Sequence, residues 1–302
     1  MRNKYIFTVV MLCGILALGM GLTALYVRHG GGEAQQEREF TIVTSFYPMY
    51  IAACNVAGEL PGVTLKNLSE PQTGCLHDFQ LTPEDMKLLG TADVFIVNGG
   101  GIESFMEEVA AAYPDLAVIE AGEYLELLSD GDETNAHAWM SPARYREMVQ
   151  TIALELGEAD AVNRESYRKN AAVYDEKLAL LEKRQRALAA AAGGRRVILF
   201  HEAFDYVAED YGMQVCFVMD LDEERQVSAG EVEAAVSAVR ADGATLILAE
   251  ELYGKSMAET LQKEVEAEVC YLDPLNRGDY DPDSYLLGME KNIELLERCL
   301  LQ

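Results

Sequence analysis

Asp93-Val94-Phe95-Ile96-Val97-Asn98-Gly99-Gly100-Gly101 is an apolar run of strand length, closed by asparagine and a glycine triplet. A strand with one wet face alternates apolar and polar residues. This one does not, so it reads as covered on both faces, as in a parallel sheet layered between helices. The alternation of strand and helix continues outward from it. Phe40 to Ser45 and Val63 to Leu68 read as strands, with a helix over Met49 to Glu59 between them. Pro83 to Leu89 reads as a short helix with Thr82 as N-cap and proline at its first position. Beyond the glycines, Ser104 to Ala112 is helical in pattern and Leu116 to Ile119 is a strand.

Pro142 to Leu156 reads as a helix. Asp160 to Ala192 follows, rich in Ala, Glu, Lys and Arg and free of proline and glycine until Gly193-Gly194 stops it. At 1.5 Å per residue that helix would be about 50 Å long. It shows no sustained a/d heptads, so it reads as a rigid connection and not as a coiled coil. The alternation then repeats, with strands at Arg196 to Phe200, Met213 to Met219, Thr245 to Ala249 and Glu268 to Leu272. Helices fall at Glu202 to Asp210, Glu231 to Ala241, Ser256 to Glu266 and Pro282 to Leu301. The expected fold is α/β: two doubly wound parallel-sheet lobes joined by a long rigid helix. The expected divisions are 1–37, a membrane anchor or signal plus tether; 38–158, the first lobe; 159–193, the linking helix; and 194–302, the second lobe.

Arg2 and Lys4 precede an uncharged stretch from Tyr5 to Val27. As a helix it would reach roughly 34 Å, enough for a bilayer core of about 30 Å. The flanking positive charge places the N-terminus in the cytoplasm and the remaining chain outside. Span length favours an uncleaved anchor over a removed signal, and either leaves the protein exported. The formal net charge of −27 argues against nucleic acid or an anionic membrane surface as partner. Cys54, Cys75, Cys216, Cys270 and Cys299 lie beyond the anchor. Their odd number leaves at least one unpaired within the chain, and the spacing does not give a connectivity.

Histidine is scarce: four occur, and His29 sits in the Gly- and Gln-rich tether. The other three fall just beyond strand ends, where a parallel sheet presents its binding edge. His77 lies in the loop Glu70 to Phe79, His137 in Asn135-Ala136-His137-Ala138-Trp139-Met140-Ser141-Pro142, and His201 directly after Val197-Ile198-Leu199-Phe200. Singly, each would be an ordinary structural histidine. Three at one edge point to a shared metal.

The chain resembles the zinc- and manganese-binding receptors of bacterial ABC importers, the cluster A-I solute-binding proteins. The resemblance runs from about Phe40 to Leu301. It rests on Thr44-Ser45-Phe46-Tyr47-Pro48, the His77 loop leading into Leu81-Thr82-Pro83, and His137-x-Trp139-x-x-Pro142. His201-Glu202-Ala203-Phe204-Asp205-Tyr206 and Leu272-Asp273-Pro274-Leu275 complete it. It implies that His77 and His137 from the first lobe, His201 from the second and a carboxylate before the last helix hold the metal. That carboxylate corresponds to Asp283. A carboxylate there is also an ordinary helix N-cap, and Asp279 and Asp281 are neighbouring alternatives.

The resemblance further implies a monomeric receptor that captures its ion between the lobes and passes it to a membrane permease. Imidazole suits zinc and oxygen-rich sets suit manganese, so His201, where manganese-type relatives carry a glutamate, points to Zn²⁺ before Mn²⁺. Gly122 to Thr134 is acidic but holds no histidine, unlike the His-rich loop of many zinc receptors. Cys75 stands two residues from His77 as ligand, disulfide partner or buried thiol. A thiolate would make five candidate donors for a four-coordinate ion, so the reading assigns it a structural role.

An enzyme is the poorer reading. His201-Glu202 opens like a zinc-protease helix, but Asp205 stands where that motif needs its second histidine. A hydrolytic zinc also keeps one position open for water. A surface adhesin is the remaining alternative, though no repeat array supports it.

Overall fold

The computed structural model describes residues 39–77, 79–130, 133–219, 221 and 227–301, with 11, 14–17 and 20 of the N-terminal segment. Most of the span read at 5–27 lies outside the described residues; among those described, no helix is long and apolar enough to cross a membrane. Met1–Glu39 separates as a unit of its own, and the fold below is that of Phe40–Gln302.

The first half runs β1 (Phe40–Thr44), α1 (Tyr47–Ala57), β2 (Val63–Asn67), α2 (Pro83–Leu89), β3 (Val94–Val97), α3 (Met106–Ala112) and β4 (Ala117–Glu120). These strands form one parallel sheet in the order β2-β1-β3-β4. β3, the run that decided the fold, is buried along its whole length. A small hairpin, β5 (Ser129–Asp130) with β6 (Glu133–Thr134), and one 3₁₀ turn (Ala138–Met140) lead into α4 (Pro142–Ala159). The hairpin lacks a strand-like apolar pattern and is absent from the sequence reading.

The linking helix α5 is Arg164–Ala192, 29 residues, about 44 Å at 1.5 Å per residue. It begins later than its composition suggests because Asp160 closes α4, its N–H bonding to the Leu156 carbonyl. Arg146 on α4 pairs with Asp175 and Glu182 on α5.

The second half runs β7 (Arg196–Leu199), α6 (Phe204–Asp210), β8 (Gln214–Val218), α7 (Ala229–Asp242), β9 (Leu246–Ala249), α8 (Glu251–Leu261), β10 (Glu268–Tyr271) and α9 (Ser284–Leu301). Its parallel sheet has the order β10-β9-β7-β8. Numbered within each half, both sheets read 2-1-3-4, with the direction of winding reversing between first and third strands. α8 starts five residues before the expected Ser256. Gly254 reads as a breaker, but a Cβ there would lie 3.1 Å from that of Ala249, so glycine seats the helix against β9.

Both halves share one apolar core, from Ile42 and Trp139 through Tyr174 to Tyr285 and Leu300; a second cluster lies within the C-terminal sheet's own layers. The seam between the halves is also hydrogen-bonded. Trp139 Nε1 donates to the Pro274 carbonyl at 2.9 Å, and Tyr285 Oη to the Trp139 carbonyl at 2.7 Å. Tyr145 and Tyr285 stack at 3.8 Å between centroids.

Downstream of the His77 loop, Thr82 and Asp85 form a reciprocal capping box that fixes where α2 begins. Thr82→Ala should cost about 1 kcal/mol of stability. The midpoint shift in chemical denaturation reads this directly, and an unchanged midpoint would contradict it.

Candidate metal centre

In sheets of this winding, ligands bind beyond the carboxyl ends of the strands, where strand order reverses. In the C-terminal sheet that point lies between β7 and β9. His201 stands two residues past β7, and Glu250 immediately follows β9. From the other half, the β2–α2 loop brings Cys75 and His77, and the segment after the hairpin brings His137.

The three imidazoles meet. Ring centroids of His77 and His137 are 5.3 Å apart, and those of His137 and His201 are 5.2 Å apart. The side chains of His137 and His201 are 0% exposed and that of His77 is 38% exposed. Trp139 stacks obliquely on His137 with centroids 4.9 Å apart.

The network around His137 determines which nitrogen is free. Asn135 Nδ2 donates to the Glu202 carbonyl at 2.9 Å and faces the Asp205 carboxylate at 3.3 Å. Its Oδ1 therefore accepts, taking the His137 backbone N–H at 3.0 Å and Nδ1 of the ring at 3.0 Å. Nδ1 carries the proton, and the lone pair sits on Nε2, the nitrogen that faces Cys75 Sγ at 3.5 Å. Outer partners of this kind orient metal-binding histidines. Burial, then the neighbouring His201 and His77, hold the His137 imidazolium well below its usual range, so the ring is neutral.

His201 is different. Neither of its ring nitrogens has a hydrogen-bond partner, although both are buried. Nδ1 lies 3.5 Å from Glu250 Oε2, and the other Glu250 oxygen lies 3.5 Å from Arg277. Burial opposes a positive charge on His201, but Cys75 and Glu250 outweigh it and raise the ring's pKa to about 10. These surroundings favour a cation.

Two donor groups fall within bonding reach of a common ion, each with its ligand atoms within 4.8 Å of one another: Cys75 with His137 and His201, and His77 with His137 and Glu202. Asp283, expected as the fourth ligand, is in neither. Its carboxylate is 53% exposed and bonds Lys177 of α5 at 2.9 Å, while its backbone N–H is held by Asp281. The long helix thus supplies the cation that pairs with this carboxylate. Reasoning from sequence offered no ligand reading for Glu202 or for Glu250, which lies beside His201, and it weighed Cys75 as a ligand before assigning it a structural role. Glu250 carried a signal, since it follows β9 as His201 follows β7.

The profile of a family described as "Zinc-uptake complex component A periplasmic" matches residues 42–299. Among characterised proteins, the chain is 27% identical over 286 residues to "Iron-binding protein YfeA" of Yersinia pestis, covering 91% of this chain and 89% of that protein. It is 26% identical over 281 residues to "High-affinity zinc uptake system protein ZnuA" of Bacillus subtilis, covering 86% and 87%. Among solved structures, the solute-binding protein FpvC of Pseudomonas aeruginosa in complex with Mn²⁺ superposes with a TM-score of 0.78 at 27% identity. That match covers 87% of this chain and 98% of the other. The three names carry three different metals.

Proposed function

From the chain's membership of the zinc-uptake component A family, a family of metal-binding transport components, we propose a zinc receptor working outside the cell membrane. It captures one Zn²⁺ between its two lobes, 38–158 and 194–302, and delivers the ion to the permease of an ABC importer. His77, His137 and His201 supply nitrogen donors. The observation that carries this reading is the convergence of three imidazoles, from three separate loops and both halves, with neighbouring centroids 5.2–5.3 Å apart. Imidazole favours zinc over manganese, and this donor chemistry is what selects among the metals of the relatives. Because the donors come from both halves, occupancy biases how the lobes sit, and a transporter can read that difference.

Competition with a chromophoric chelator should find one tight Zn²⁺ per chain, with Mn²⁺ bound far more weakly and Trp139 fluorescence reporting occupancy. Deleting the gene should impair growth under zinc chelation, with recovery on added zinc. Recovery with manganese alone would reassign the cargo, and absence of tight metal binding would end the receptor reading.

A further inference from the structure

The same centre holds a sulfur that the three-histidine reading leaves unused. Cys75 Sγ lies 3.5 Å from His137 Nε2, the unprotonated nitrogen, which accepts from the thiol. Zinc bonds of about 2.3 Å to sulfur and 2.0–2.1 Å to nitrogen at a tetrahedral angle put the two donor atoms about 3.6 Å apart. The observed pair thus already spans one edge of a zinc tetrahedron. On the other side stands His201, 0% exposed, grouped with Cys75 and His137 so that one ligand atom of each lies within 4.8 Å of the others.

The sulfur is also prepared from the C-terminal half. Asn276, 1% exposed, donates Nδ2 to Cys75 Sγ at 3.0 Å, the kind of outer hydrogen bond that supports a thiolate ligand. Gly74, at φ +89°, allows the Arg277 guanidinium to pack beside this turn, because a Cβ there would stand 3.1 Å from it.

We propose that the Cys75 thiolate is the fourth donor of the centre, beside His77, His137 and His201, in place of a carboxylate, and that it biases the site toward zinc. The proposal rests on the metal-receptor reading. On binding, the thiol S–H bond breaks, its proton passes to solvent, and the sulfur lone pair forms the bond to the metal; nothing is oxidised or reduced. Thiolate is a soft donor, suited to zinc and poorly suited to manganese. Asp283 is then free to remain with Lys177.

The test is anaerobic titration of the metal-free full-length chain with Co²⁺, which occupies zinc sites and reports its donors optically. The wild type should develop an intense near-ultraviolet sulfur-to-cobalt charge-transfer band that saturates at one equivalent. Cys75→Ser should still bind cobalt but lose that band. Its zinc affinity should fall by more than about 100-fold, beyond the 10–100-fold typical of outer-shell changes, while manganese affinity changes little. Cobalt bound without the band in the wild type, or a band that survives Cys75→Ser, overturns the thiolate and leaves the receptor standing. No cobalt or zinc binding overturns both. Should Cys75→Ser fail to fold, alkylation of the wild type decides: zinc should protect Cys75 from iodoacetamide, and equal labelling with and without zinc refutes the proposal.

Discussion

Replacing His137 with alanine is expected to lower zinc affinity by more than about 100-fold, or about 3 kcal/mol. His137 touches every donor element of the centre. His137 lies between His77 and His201, faces Cys75 through Nε2 and is oriented through Nδ1 by Asn135. Its removal deletes a donor and leaves the remaining donors on opposite sides of a gap. Chelator competition measures the loss. Asp283→Ala is the internal control, because its carboxylate serves Lys177 and should leave zinc affinity unchanged. The opposite pattern, with His137→Ala tolerated and Asp283→Ala damaging, would refute the arrangement described here.

Trp139→Ala should destabilise the fold by about 3–5 kcal/mol, the range for deleting a buried aromatic side chain. The indole is 0% exposed, packs edge-on to Phe46 at 5.2 Å and bonds the Pro274 carbonyl across the seam. Alanine would leave a cavity in the shared core and an unpaired carbonyl on the opposite half. Denaturant titration followed by circular dichroism reads the cost without needing the lost fluorophore. A loss below about 1 kcal/mol would mean that the two halves do not depend on this residue for their docking.

The layered parallel architecture was legible because β3 and its counterparts are continuous apolar runs, a pattern that physics permits only between two covering layers. The three histidines were legible because strand ends are where such sheets bind. The pairing of Asp283 with Lys177 was not. Asp283 satisfies every local criterion for a ligand at a helix start, and only the fold reveals a lysine 106 residues earlier in the chain lying against it. Cys75 was discounted on a donor count that assumed Asp283 was already taken. The start of α8 at Glu251, five residues before the expected Ser256, depends likewise on packing, since Gly254 lets the helix sit against Ala249 of β9.

The uneven exposure of the three imidazoles has a kinetic consequence. His137 and His201 are sealed from solvent, whereas His77 and Glu202 are 38% and 34% exposed, so an ion held by all of them would meet water from the His77 and Glu202 side. In the proposed receptor, departure of the metal would be slowed by the seam, with its Trp139–Pro274, Tyr285–Trp139 and Asn135–Glu202 bonds. On that reading, opening of the protein would contribute to residence time beside the metal bonds themselves, and whatever pries the halves apart would favour release of the ion.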